Sequence, residues 1–364
     1  MKKHRPWISL MLAGLLAVSA LAGCAQESSS GAQAAASDTS DEQTAQKEPE
    51  YTWRLQTIYN LDTMQGVIAT QIAEELERVT NGRLAVEIYP PGGLCPTNDM
   101  LTMLSKGAFD MGVSFGNTFS GIIDEGDLEA GLPFAWESAD EVYDAFENRG
   151  LGDLIQSAYD ELGINWYWIA HEPNYNTLTN FEVTGVDSYK GKKIRALGVW
   201  ANYYQKLGAT PTNVSGPEVY QALQLGTIDG AHYGWSSLKD NNLSEVVDYA
   251  VQPTAAFISM AILVNQESLE KLPEDLRAVV EETCRMASQG FISNTHVVST
   301  KAAVREAFDS GEVTPIVLPD EEVLKMRKAA VEVWDEVAKK SDRMAKGVEI
   351  LKQQSRDYGR QVDF

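Results

Sequence analysis

The chain has 364 residues, enough for two domains, and 44% of them are apolar, enough for real cores. Its formal net charge is −22, which argues against nucleic acid, whose binding needs a basic face, and also against adsorption to anionic lipid. Charge of this size says little about fold, but an anionic ligand would need a local positive site against the background.

The first residues read as a targeting segment. Lys2, Lys3, His4 and Arg5 give a basic start, and Ile8 to Ala20 is an apolar run too short to span a bilayer comfortably. It ends in Leu21-Ala22-Gly23-Cys24. Small residues directly before a cysteine resemble a bacterial lipobox, so a signal peptide is expected over 1–23, with Cys24 as the new, lipid-carrying N-terminus. Residues 25–50 are small, polar and acidic, without apolar periodicity. Such a stretch cannot bury enough surface to fold. A lipidated, disordered tether over 24–50 is expected, holding a soluble body off a membrane.

The body begins with Tyr51 to Tyr59, which alternates as a strand does. Met64, Val67, Ile68, Ile72, Leu76 and Val79 then recur at helical spacing, closed by Asn81-Gly82. Arg83 to Pro90 reads as a strand, Thr97 to Gly107 as a helix, and Phe109 to Phe115 as a third strand. This β-α-β-α-β order predicts a parallel sheet with helices on its faces. Two helical stretches follow, Asp140 to Arg149 and Asp153 to Leu162, then two separate extended pieces, Ile164 to Ala170 and Asn174 to Asn180. A second α/β unit runs from a strand at Lys190 to Arg195, through a helix from Trp200 to Gly208 and one holding Pro217 in its first turn, to a strand entering a loop at Trp235. Ala255 to Asn265 is a buried strand. The helical stretch from Pro273 to about Ser310 is too long for one small domain and is expected to cross between two. The chain ends in an amphipathic helical region from Pro319.

Arg195 is the residue whose placement asks for a reason. It stands near a strand end, just before Gly198, in a very acidic chain. In open α/β sheets, ligands bind beyond the carboxyl ends of the strands. Arg195, Tyr233 and Asn117 all fall at such places, which points to a cleft between two lobes. No GxSxG, Walker loop, GxGxxG or HExxH occurs, and the histidines are scattered. Asp124 to Asp127 (DEGD) lacks the alternating spacing of a calcium loop. No cofactor or metal is implied. Cys95 and Cys284 lie far apart; two thiols or one disulfide both remain open.

The run Ser188 to Ala231 carries a resemblance. Gly191, Lys193, Ile194 and Arg195 are followed by Leu207, Gly208, Ala209 and Pro211, then by Glu218, Tyr220, Ala222, Leu223, Gln224, Gly226, Asp229 and Gly230. This pattern resembles the solute-binding subunits of tripartite ATP-independent periplasmic (TRAP) transporters, the dicarboxylate-binding-protein family. Gly131 to Trp136, Leu178 to Asn180 and Leu272 to Glu282 extend it over the body. The resemblance implies an α/β, two-lobed, periplasmic-binding-protein-like fold. Each lobe is expected to be a mostly parallel sheet flanked by helices, with a long helix crossing between them. Lobe I is expected over 51–172 plus about 259–298, and lobe II over 173–258 plus about 299–364.

It also implies capture of an organic acid, weakly polar or aromatic, and delivery to the membrane permease of such a transporter. Arg195 would be the carboxylate clamp, because a planar guanidinium meets a carboxylate with two parallel hydrogen bonds. Tyr175, Trp200, Tyr233 and Trp235 would stack or hydrogen-bond, Asn117 and His232 would make polar contacts, and Phe134 would close the first-lobe side. The departures bear on specificity. Tyr175 stands where some members have a second arginine, and Tyr233 where others have an asparagine. His232-Tyr233 replaces the Glu-Trp of metal-assisted members, which speaks against a calcium-bridged ligand. Gly216 falls near an aromatic of other members and suggests a roomier pocket there. A binding component for a sensor kinase and a lipoprotein hydrolase are the rival readings.

Overall fold

In the computed structural model, which describes residues 48–364 except Met64 and Gly290, lobe I is built on three parallel strands. β1 (Tyr51–Thr57) lies between β2 (Leu84–Tyr89) and β3 (Met111–Ser114). The helices between them are α1 (Val67–Val79) and α2 (Met100–Ser105). α1 forms as its pattern predicts: Ile68, Ile72 and Leu76 line one fully buried face. It stops where Asn81 and Gly82 turn to positive φ, a conformation glycine adopts without strain. The leader, Cys24 and all of the tether but its last three positions lie outside the described residues.

α3 (Gly126–Ala130), α4 (Ala139–Tyr143) and α5 (Leu151–Asp160) follow. The chain then leaves lobe I in β4 (Ile164–Thr179), a single 16-residue strand where the sequence suggests two. Pro173 lacks the N–H that a ladder needs, so a break is the natural reading there. The strand instead absorbs the proline at a ladder irregularity, with register shifts between Ala170 and Glu172 and between Glu172 and Tyr175. Lobe II is built on a second parallel trio. β5 (Lys193–Arg195) lies between β6 (Thr210–Thr212) and β7 (Gly230–Gly234), joined by α6 (Val199–Lys206) and α7 (Val219–Gln224). α8 (Ser237–Asp240) and β8 (Tyr249–Gln252) lead to β9 (Ala256–Asn265), in which every residue is buried.

The strand order is β2-β1-β3-β9-β4-β7-β5-β6, so β4 and β9 join the two trios into one sheet. β9 runs antiparallel to β3 and β4, and β4 antiparallel to β7 and β8. The sheet is therefore mixed, because the two strands that cross between lobes run in opposite directions. After α9 (Gln266–Glu270), the long helical stretch is two helices, α10 (Glu274–Gln289) and α11 (Phe291–Asp309). α10 packs on α1 of lobe I and α11 on α8 of lobe II, so the stretch does cross. β10 (Thr314–Val317) pairs with β8. α12 (Asp320–Ala338) packs on α6, and α13 (Asp342–Asp357) on α3 and α5. One apolar core thus runs along a whole side of the sheet, and each lobe has its own core on the other side.

The lobe I loops nearest lobe II are held from two sides. The acidic run spends its carboxylates on the turn between α12 and α13 and on the start of α13: Lys340 reaches Asp124 (3.1 Å) and Asp127 (3.0 Å), and Arg343 reaches Glu125 (3.3 Å). The turn after β3, Gly116–Phe119, touches α3 backbone to backbone. A Cβ on Gly126 would lie 2.3 Å from the carbonyl oxygen of Gly116. Neither backbone can retreat, so Gly126→Ala should destabilise the protein by about 1–3 kcal/mol, the usual cost of overpacking. Urea unfolding checks it; an unchanged midpoint would show that the turn yields. Cys95 and Cys284 are buried in different cores and are not joined.

Candidate functional site

Arg195 ends β5 with only 6% of its surface exposed. Its Nε donates to the carbonyl of Val214 (3.0 Å) and one terminal nitrogen to the carbonyl of His232 (3.2 Å). The guanidinium carbon lies 5.0 Å from the Tyr233 ring centre. Two backbone carbonyls fix the fork, and its other N–H groups are left over. Among the described residues no carboxylate forms an ion pair with it. A cation buried in this way is costly unless something anionic meets it.

The Tyr233 ring is part of an aromatic cluster. Tyr175 and Tyr233 stack with centroids 6.3 Å apart, and Tyr175 lies 4.7 Å from the His232 ring. His232 also stacks on Trp200, with ring centroids 3.9 Å apart. Burial, and secondarily Arg195, push the His232 pKa well below its ordinary value, so the ring is neutral. Burial also raises the phenol of Tyr233, while Arg195 opposes that rise. The room expected at Gly216 is filled: a Cβ there would meet the Tyr233 hydroxyl at 2.9 Å.

Lobe I supplies the facing side. Asn117 is buried on its turn, and its Oδ1 accepts no hydrogen bond from the protein. A Cβ on Gly198, between Arg195 and Trp200, would lie 3.4 Å from Asp127, 3.5 Å from Ser120 and 3.6 Å from Asn117. The lobes meet there, and again where Gln65 donates to the Ser236 hydroxyl at 3.1 Å. Five of the expected residues therefore cluster (Arg195, Tyr175, Tyr233, His232 and Trp200), with Asn117 across from them. Two do not join. Trp235 packs into the helical core of lobe II against Phe308, 5.8 Å away, because it follows β7 on the side facing α7, α8 and α11. Phe134, at φ +61°, sits under α12 between Arg327 and Tyr203.

One residue escaped the sequence reading. Tyr59, just past the carboxyl end of β1, lies close enough to Tyr175, Tyr233, Glu129 and Arg195 for their charges to act on its hydroxyl. Burial is the largest influence and drives its pKa well above the ordinary phenol value. Its place at the end of the first parallel strand was the available signal. Behind the Asn117 turn, Glu129 is wholly buried, and Tyr159 donates to its Oε2 at 2.5 Å. Burial pushes this carboxyl up to about 7, against the hydrogen bonds that favour its ionised form.

Residues 56–341 match the family of bacterial extracellular solute-binding proteins, family 7. The chain belongs to this family. This solute-binding protein is 26% identical over 285 residues to a C4-dicarboxylate-binding periplasmic protein of Rhodobacter capsulatus, covering 77% of this chain and 84% of that one. It is 25% identical over 258 residues to the sialic acid-binding periplasmic protein of Vibrio cholerae, covering 69% and 78%. Among solved structures, a TRAP periplasmic solute-binding protein of Pseudoalteromonas atlantica with bound sodium and pyruvate superposes with a TM-score of 0.76 at 22% identity, covering 85% and 95%. One from Chromohalobacter salexigens with bound (S)-(+)-2-amino-1-propanol gives 0.75 at 22%, covering 85% and 96%. The two-lobed fold of the solute-binding protein is theirs.

Proposed function

We propose that this extracytoplasmic solute-binding protein captures a small organic acid between its lobes and hands it to the permease of a TRAP-type transporter. One observation carries the reading: a buried guanidinium at a strand end, aligned by two backbone carbonyls, with no described carboxylate paired to it. Relatives named for C4-dicarboxylates and sialic acid, and a related structure holding pyruvate, agree with an acid as cargo.

Tyr175, Tyr233 and Trp200 would line the ligand, with Tyr59 and Asn117 approaching from lobe I. The lobes would divide near residues 172–173 and 258–259, where Glu172 pairs with Ile258 between the two register shifts. A hinge there would let the cleft open and close. Cys24 would carry the lipid that keeps the protein at the membrane. Protein purified without added ligand and then denatured is expected to release an intact carboxylic acid, identified by mass spectrometry. Release of a neutral or cationic compound instead would count against the reading. Cys24→Ala should move the protein from the membrane to the soluble fraction.

A further inference from the structure

We infer that the acid carries a hydrogen-bond donor, a hydroxyl or an N–H, close to its carboxylate, that Nε2 of His232 accepts this donor, and that a second carboxylate is refused at that position. This rests on Arg195 as the carboxylate clamp.

The tautomer of His232 is set by the polar network behind it. The side-chain nitrogen of Asn176 donates to the carbonyls of Val251 (2.8 Å) and Pro253 (2.5 Å), so its hydrogens are spent and its oxygen can only accept. The Thr177 hydroxyl lies 3.3 Å from that oxygen, 2.9 Å from the Tyr189 hydroxyl and 2.7 Å from the Tyr204 hydroxyl. Tyr204 lies 3.0 Å from His232 Nδ1. One arrangement gives each of these contacts a proton and leaves only the longer approach of the Tyr204 hydroxyl to the Asn176 oxygen (3.5 Å) without one. Thr177 donates to Asn176, Tyr189 and Tyr204 donate to Thr177, and His232 Nδ1–H donates to Tyr204. If Tyr204 instead donated to Nδ1, a contact would be lost wherever the Thr177 proton went. Either the 2.7 Å contact between two hydroxyl oxygens would hold no proton, or Thr177 would turn to Tyr204 and abandon the buried Asn176 oxygen.

A neutral ring protonated on Nδ1 presents a lone pair at Nε2. That atom is buried with no hydrogen-bond partner in the protein, in a residue 2% exposed. The two ring nitrogens diverge, so Nε2 faces away from the hydroxyl network. Trp200 and Tyr175 hold the ring and prevent it from turning. Arg195 bonds the backbone carbonyl of this same histidine and its charge acts on the ring, so the clamp and the lone pair belong to one cluster. A lone pair accepts a donor and repels a carboxylate. Among the described residues, Arg195 is the cation whose charge reaches Tyr59, Tyr233 and His232. A second carboxylate would have no cation of its own.

Two measurements test this. In protein labelled with nitrogen-15 histidine, the His232 signal, assigned by its loss in His232→Phe, should show the proton on Nδ1 and a bare Nε2. A proton on Nε2, or a doubly protonated ring, overturns the proposal. In calorimetry with lactate against propionate, mandelate against phenylacetate, and succinate, the hydroxy acid of a binding pair should bind at least about tenfold more tightly than its partner. Succinate should bind more weakly than the hydroxy acid, and His232→Phe should erase the preference. Equal binding within pairs, or succinate binding best, overturns the donor requirement and leaves Arg195 as the clamp. Failure of every acid to bind counts instead against the carboxylate reading, and the nitrogen spectrum still decides the lone pair.

Discussion

Arg195→Ala should leave the protein folded and remove its response to the acid ligand. The guanidinium contributes little to folding: two hydrogen bonds to carbonyls, set against the cost of burying a charge with no described carboxylate beside it. Toward a carboxylate the balance is different. Each charge-assisted hydrogen bond is worth about 1.5–3 kcal/mol, so a bidentate pair accounts for roughly 3–6 kcal/mol, or about a hundredfold to ten-thousandfold in affinity. Lysine is a poor replacement, because a point charge cannot hold both Val214 and His232 and still fork onto the ligand. The measurement is thermal unfolding with and without the acid identified by mass spectrometry. The wild-type protein should be stabilised, and Arg195→Ala and Arg195→Lys should lose most of the shift. An undiminished shift in Arg195→Ala would remove the residue from the site.

Glu129 gives the second large effect, on stability against pH. Its carboxyl titrates near 7 in the folded protein and near 4.5 when exposed. The folded state holds this proton more tightly, so folding takes up a proton between those values. The resulting stability is complete below pH 4.5 and is lost as pH rises through about 7. The span corresponds to roughly 3 kcal/mol. His232 acts in the opposite sense: its depressed pKa makes the protein lose stability as pH falls below the ordinary histidine value. Comparing wild type with Glu129→Gln cancels the histidine, since both proteins carry it. The variant, which cannot ionise there, should gain roughly 3 kcal/mol relative to wild type between about pH 4.5 and pH 8 in urea unfolding. Parallel profiles for the two proteins would place the Glu129 titration near that of an ordinary glutamate. The effect bears on the site through position, because a Cβ on Gly116, next to Asn117, would lie 2.7 Å from the Glu129 carboxyl carbon.

The alternation and helical spacing that announced β1, α1, β2 and β9 are local signals, and each formed close to where it was read. β4 shows the limit of such reading. Pro173 argues locally for a break, but the ladder with β9 carries the strand through it. Trp200 and Trp235 show the same limit within the site. Both are large aromatics near strand ends of lobe II, and sequence treats them alike. One packs on His232 and the other on Phe308.

Patterns spanning a few residues thus suffice for the elements, for the family, and for a single arginine at a strand terminus. Which side chains gather around that arginine was settled by long-range pairing. Tyr59, Asn117, Tyr175, Arg195 and His232 come from five separate segments, and the order β1-β3-β9-β4-β7-β5 is what aligns them. The proton on His232 was settled further still from any local signal, by Asn176 reaching carbonyls 75 and 77 residues along the chain. The physical reason is range: periodicity reports which face of an element is apolar, whereas burial, tautomer and charge depend on neighbours that only the packed sheet supplies.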